Sequence, residues 1–240
     1  EQLEQYALAA GFPAFHGKQV FNWVYGKQAE SFRSMTDLPE KLRKLLDRDL
    51  TLDHFAPART AVSRDGSATK HLFVTGPEEG IEAVVLADSR KAFCISSQVG
   101  CPVGCLYCAT GRCGFARNLT AGEIVCQVLS LTRLHGKPDS ILYMGMGEPL
   151  LNLKEVLASL SLLEEAGFSH RKITVSTCGI IGGIYALADS GLRPRLAVSV
   201  GSSLEDRRRK IIPASHVGSL HELERAIGTY REKTGRRGSL

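Results

Sequence analysis

The chain has 240 residues, 43% of them hydrophobic and 23% charged, which suits one large domain beside a small one. No apolar run approaches the ~18 residues that a membrane span needs, so a helical membrane protein is excluded. The net charge of +5, from 30 basic and 25 acidic residues, permits nucleic-acid binding without arguing for it. Seven cysteines and an acidic start, without the basic-then-apolar layout of a secretion signal, point to a reducing cytoplasm and to thiolate chemistry.

Residues 1–55 read as a small helical domain. A helix over 1–10 is closed by Gly11, and a second over 16–25 carries Val20, Phe21, Trp23 and Val24. In a third, Leu38, Leu42, Leu45 and Leu46 fall on one face of a 3.6-residue period. Asp37 with Glu40 predicts a capping box at its start, and Trp23 reads as core. Residues 56–90 then predict an antiparallel β connector, with strands at 60–63 and 69–74 around Asp65-Gly66 and another at 81–86.

Residues 91–240 alternate strands with helices. Strands are predicted at 91–96, 141–144, 172–176 and 195–200. Helices fall between them and after them, two opening on capping boxes at Thr120/Glu123 and Ser219/Glu222. That order implies an α/β fold with a parallel sheet and ligands at the carboxyl ends of its strands. The basic runs Arg207-Arg208-Arg209-Lys210 and Arg236-Arg237 read as solvated helix faces. The last of the four strands is expected to leave an unpaired edge prone to self-association.

The densest chemistry lies in Cys94-Ile-Ser-Ser-Gln-Val-Gly-Cys101-Pro-Val-Gly-Cys105-Leu-Tyr-Cys108. Its C-x3-C-x2-C loop supplies three thiolates. A zinc site normally takes four ligands, for which Cys94 or Cys113 would complete the set. A [4Fe–4S] cluster on this loop would keep one iron open for a substrate or cofactor. The other three strands end in stretches suited to ligands. These are Met144-Gly145-Met146-Gly147-Glu148-Pro149, Ser176-Thr177-Cys178-Gly179 and Ser199-Val200-Gly201-Ser202. Together they offer bare backbone, hydroxyls and one carboxylate.

The cysteine loop, with Tyr107 before its last cysteine, resembles the signature of radical S-adenosylmethionine (SAM) enzymes. The match extends to Gly114-Phe115-Ala116-Arg117-Asn118-Leu119, to residues 144–150, to Ser176-Thr177 and to N-terminal stretches at 17–23 and 35–39. On these residues the chain resembles the RlmN/Cfr family of radical SAM RNA methyltransferases over nearly its whole length. Pro149 after Gly147-Glu148 favours the RlmN branch, which acts on adenine C2, over the Cfr type, which acts on C8.

The resemblance implies an incomplete radical SAM partial (β/α) barrel, with four of six expected parallel strands, beside a helical accessory domain that binds RNA. It implies a [4Fe–4S] cluster on Cys101, Cys105 and Cys108. SAM would be held by Gly147, Glu148, Ser176, Ser199, Val200 and Gly201, with Glu148 on the methionine ammonium. Glu82 would be the base that deprotonates the adenine carbon, and Cys94 the thiolate that resolves a covalent protein–RNA intermediate.

Its substrates would be 23S rRNA and tRNA, and its electron donor a protein such as flavodoxin. A cytoplasmic location is implied, with no membrane partner and a monomeric full-length protein. The chain departs from the family pattern at three places. Ser199-Val200-Gly201-Ser202 stands where Ser-Leu-His-Ala is usual, Cys178 stands where serine is usual, and the spacing from Glu82 to Cys94 is one residue shorter. No cysteine follows Cys178, whereas the family's mechanism needs a second cysteine to carry the methyl group. A metal-stabilised RNA-binding module without catalysis is the alternative from another class.

Overall fold

The computed structural model describes residues 1–52, 55–213, 217–236 and 238–239. They form two compact units, Glu1–His54 and Phe55–Leu240.

The first unit holds helices α1 (Gln2–Ala9), α2 (Phe15–Phe21) and α3 (Glu40–Asp49), and α2 runs on into a single π turn over Asn22–Gly26. Its core is Val20, Ala29, Phe32, Met35, Leu38, Leu42 and Leu46. Trp23 packs partly buried against that core and lies under the ammonium of Lys27, 3.6 Å from its ring centroid. The predicted capping box at Asp37 is absent. The helix starts behind Pro39 with no side-chain cap, and the Asp37 carboxylate instead accepts the indole N–H of Trp23.

The second unit opens with an antiparallel run of β1 (Pro57–Val62), β2 (Ala68–Gly76), β3 (Glu79–Ala87) and β4 (Lys91–Cys94). The cysteine stretch follows, flanked by β5 (Gln98–Gly100) and β6 (Phe115–Asn118) with the one-turn α4 (Ala109–Arg112) between them. Then come α5 (Ala121–His135), β7 (Ser140–Tyr143), α6 (Leu153–Glu165), β8 (Ile173–Thr177), α7 (Ile181–Asp189), β9 (Arg195–Val198), α8 (Glu205–Ile211), α9 (Leu220–Thr234) and β10 (Gly238–Ser239). The large sheet has the order β1-β2-β3-β4-β7-β8-β9-β10, antiparallel up to β4 and parallel from there on.

Three expectations need correction. The first parallel strand ends at Cys94 rather than at residue 96, because the Ser96 N–H turns aside to the Gln127 side chain of α5. The edge beyond β9 is not bare, since Gly238 and Ser239 pair in parallel with Leu196 and Ala197. The described parallel strands therefore number five, not four. The capping boxes at Thr120 and Ser219 form as expected, each with its Glu returning to the N-cap N–H.

The two faces of the parallel sheet differ. Phe93, Ile141, Tyr143, Ile173, Val175, Leu196 and Val198 are buried on one side, where the Tyr143 hydroxyl meets Ser159 of α6 at 2.8 Å. On the other side Cys94, Leu142, Thr174 and Arg195 line up in one register row, and none of the four is buried. A strand covered on both faces reads as a continuous apolar run. These strands alternate because one face is kept for something other than helices.

Candidate active site at the carboxyl ends of the parallel strands

The cysteine loop is tied at its neck. β5 and β6 pair antiparallel, with Gly100 opposite Phe115, and the Cys101 N–H donates to the Gly114 carbonyl at 2.8 Å. Gly100 sits at φ +75°, and a Cβ there would lie 2.0 Å from the Gly114 oxygen, so only glycine closes this neck. Within the loop Cys108 N–H turns back to the Cys105 carbonyl, and Leu106 N–H reaches the Ile211 carbonyl at the end of α8.

Cys101, Cys105 and Cys108 are all partly exposed free thiols. Burial pushes the Cys101 thiol up to about 11, and the neighbouring Cys105 and Cys108 add to the shift. Burial also raises Cys105, against a hydrogen bond from Tyr107. Among the described residues no three His, Cys, Asp or Glu side chains surround a single-ion position. A zinc ion gathers its ligands about one point, whereas a cluster spreads its thiolates over separate irons. Three mutually close thiols on one loop fit a cluster as a donor set.

Glu148 lies at the end of the turn after β7, and the loop fixes it tightly. Its N–H donates to Gln98 Oε1 at 2.8 Å, and Gln98 is itself held by Asn118. Gly147 before it has φ +99°, and a Cβ there would come within 2.6 Å of the Gln98 side chain. The carboxylate is 4% exposed. Oε1 accepts from Leu150 N–H at 3.0 Å and Oε2 from Cys178 N–H at 2.7 Å. Burial raises the Glu148 pKa, and these hydrogen bonds partly offset the shift.

Cys178 follows β8 and is buried, with its thiol hydrogen-bonded to the Glu148 carboxylate. Burial raises the Cys178 pKa strongly, and the charges of Glu148, Cys105 and Cys101 act in the same direction. On its other side the Cys178 carbonyl accepts from Arg208 Nη2 at 2.9 Å. Arg208 corrects the reading of residues 207–210 as a solvated face: it is 1% exposed, while its neighbours Arg207 and Arg209 are exposed. Among the described residues its Nε and Nη1 have no hydrogen-bond partner.

The remaining predicted residues fall around this centre. Ser176 is half-buried on the open face of β8, and the Ser199 N–H bonds the Thr177 carbonyl at 2.9 Å, which holds the ends of β8 and β9 together. Val200 and Gly201 continue from Ser199 in a segment without regular structure, Gly201 in the left-handed region at φ +73°. Cys94 pairs with Val84 across the β3–β4 hairpin, so Glu82, two residues before Val84, shares the face of Cys94. Ala87 pairs with Lys91, so the hairpin turns over residues 88–90, away from both. A residue more or less in that turn leaves the register of Glu82 and Cys94 untouched.

Glu82 is half exposed and ion-paired to Lys70 at 2.8 Å, in a groove of about 290 Å³ lined also by Arg59, Ala61 and Leu72. Burial pushes the Cys94 thiol up to about 11. The ion pair of Glu82, the anchoring by Gln98 and the place of Arg208 all escaped the sequence reading. None of the three left a local signal in the sequence.

A parallel sheet whose first strand runs into a three-cysteine loop, with its functional groups at the strand ends, defines a radical SAM core. Residues 95–236 match the sequence profile of the radical SAM superfamily, and residues 1–52 that of the ribosomal RNA large subunit methyltransferase N-terminal domain.

A probable dual-specificity RNA methyltransferase RlmN from Thermus thermophilus is 42% identical over 91% of this chain and 64% of its own length. Its namesake from Thermotoga neapolitana is 38% identical over 100% of the chain and 71% of its own length. The crystal structure of a radical SAM methyltransferase from Sphaerobacter thermophilus superposes with a TM-score of 0.90 at 38% identity, covering 98% of this chain and 72% of that one. The chain belongs to the RlmN family of the radical SAM superfamily. It spans about two thirds of the length of these relatives. The cofactors of the superfamily are a [4Fe–4S] cluster and SAM.

Proposed function

We propose that these residues form the SAM-cleaving part of an RNA methyltransferase that acts on C2 of adenine in 23S rRNA and tRNA. The observation that supports this best is the convergence of Glu148 and Cys178 with the thiols of Cys101 and Cys105 at one edge of the parallel sheet. An unactivated sp² carbon has no lone pair with which to attack an electrophilic methyl, and radical chemistry removes that obstacle. When bound, the cluster supplies the electron that cleaves SAM to a 5′-deoxyadenosyl radical.

Cys101, Cys105 and Cys108 hold it, and Glu148 receives the methionine ammonium on the lone pairs left by Leu150 and Cys178. Gly147, Ser176, Ser199, Val200 and Gly201 line the rest of the SAM pocket. On the open face, Glu82 takes the proton from the adenine carbon after leaving Lys70, and the Cys94 thiolate attacks sulfur to release the product. A flavodoxin-like protein in the cytoplasm supplies the reductant.

The two-cysteine route needs a methyl-carrying thiol besides Cys94, and no cysteine follows Cys178 in these 240 residues. The chain by itself is therefore expected to cleave SAM without making 2-methyladenosine. Anaerobic reconstitution, iron and sulfide analysis, and chromatography of 5′-deoxyadenosine after reduction test the reading. Zinc without iron overturns it in favour of a metal-stabilised RNA-binding module.

A further inference from the structure

The cysteine loop contributes three thiolates, while iron–sulfur clusters ordinarily take four. A fourth thiol stands beside the loop. Cys178 reaches the site from a different strand, and its backbone is gripped on both sides. Its N–H is held by Glu148 at 2.7 Å, and its carbonyl by the buried guanidinium of Arg208 at 2.9 Å. That grip fixes the backbone from which the thiol projects. Both grips lead back to the cysteine loop: Glu148 is anchored to Gln98, three residues before Cys101, and the helix that carries Arg208 ends at Ile211, whose carbonyl accepts from Leu106 N–H at 3.0 Å.

The other candidates are placed less well. Cys113 is exposed and its thiol donates to the Ala109 carbonyl within its own turn, while Cys94 sits in the β3–β4 hairpin beside Val84. Arg208 brings a buried positive charge to the Cys178 carbonyl, with Glu205 of its own helix near it and with Nε and Nη1 without a hydrogen-bond partner among the described residues, so further negative charge at this point is favoured.

Resting on the reading of the loop as a cluster site, we propose that Cys178 is a fourth, exchangeable thiolate ligand. It caps the iron that Cys101, Cys105 and Cys108 leave open, until SAM takes its place. As the sulfur–iron bond forms, the thiol proton passes to the Glu148 carboxylate it already faces. On exchange that bond breaks, and bonds form from iron to the methionine nitrogen and carboxylate. The departing thiolate takes its proton back from Glu148, which returns as the carboxylate that accepts from the methionine amino group, and the proton shed by the ammonium passes to water. No electron moves, and no outside acid or oxidant is needed. The cap protects a cluster whose open iron is otherwise its weak point.

The test uses the whole chain, reconstituted anaerobically without SAM and exposed to a limited amount of ferricyanide, with three-iron cluster counted by electron paramagnetic resonance. The unaltered protein is expected to keep its four-iron form. Cys178→Ala should give several-fold more three-iron species, and saturating SAM should erase the difference. Cys178→Ser, which nearly preserves volume, supplies the same readout if the alanine variant holds no iron. Cys113→Ala should behave as the unaltered protein. Equal three-iron yields with and without the Cys178 thiol, or a loss that follows Cys113 instead, overturn the proposal. An unaltered chain that takes up no four-iron cluster removes the underlying reading and this inference with it.

Discussion

The two faces of the parallel sheet are made by the same few strands and do opposite things. On one, Phe93, Ile141, Tyr143, Ile173, Val175 and Leu196 are at most 1% exposed and supply the apolar burial that holds the unit together. On the other, Cys94, Leu142, Thr174 and Ser176 stay half-buried. Stability and chemistry are thus divided by the two-residue period of a strand. A substitution's consequence is set by the parity of its position more than by its distance from the site.

That division can be broken in four ways, from the largest effect to the smallest. Cys105→Ala should abolish cluster assembly altogether, read as iron and sulfide content, while the unfolding midpoint of the metal-free chain stays put. Retained iron would remove Cys105 from the ligand set.

On the buried face, Phe93→Ala should cost about 3–5 kcal/mol in urea unfolding, against well under about 1 kcal/mol for Thr174→Ala in the same strand layer. Equal costs would dissolve the contrast between the faces.

Glu148→Gln should weaken SAM binding roughly ten- to a hundredfold by calorimetry, the loss of a charge-assisted contact of about 1.5–3 kcal/mol, with the cluster still bound. Unchanged affinity would return Glu148 to the role of a turn residue that anchors Leu150 and Cys178.

The mildest effect concerns the buried side of the connector, where the Nε2 atoms of His71 and His135 meet at 2.8 Å. Burial lowers both imidazoles, with a further push on His71 from His135 and on His135 from Lys91. The unfolded chain therefore takes up protons that the folded one resists. Stability is full above about pH 6.5 and is lost as the pH falls through the lower folded value. The Tm should drop between about pH 7.5 and about pH 5.5, and His135→Gln should flatten that dependence. A drop of the same size in the variant would place its origin elsewhere.

Much of this was legible beforehand, for physical reasons that can be named. The boxes at Thr120/Glu123 and Ser219/Glu222 are local devices, satisfied within one turn, and they formed where the pattern placed them. Asp37 and Glu40 have the same spacing, but Trp23 competes for the Asp37 carboxylate from fourteen residues away. The strands β5, β6 and β10 are two to four residues long, too short to carry an alternation. Arg208 sits in a run of four basic residues, and nothing local distinguishes it. Its burial is set by the Cys178 carbonyl, thirty residues earlier in the chain.

The neck of the cysteine loop has one more consequence, for the order of assembly. Residues 101–114 would otherwise have to be brought together by the inorganic ligand itself, at the entropic cost of closing a loop of that size. Here the pairing of Val99 with Arg117 and the contact of Gly100 with Gly114 close it in advance. Arg117 fastens the closure from outside through Glu79 at 2.8 Å and Glu123 at 2.8 Å. Loading with iron, and reloading after its loss, is therefore expected to ask for rearrangement inside the loop alone. Cluster repair becomes a local event at a standing scaffold, repeatable over the lifetime of a single molecule.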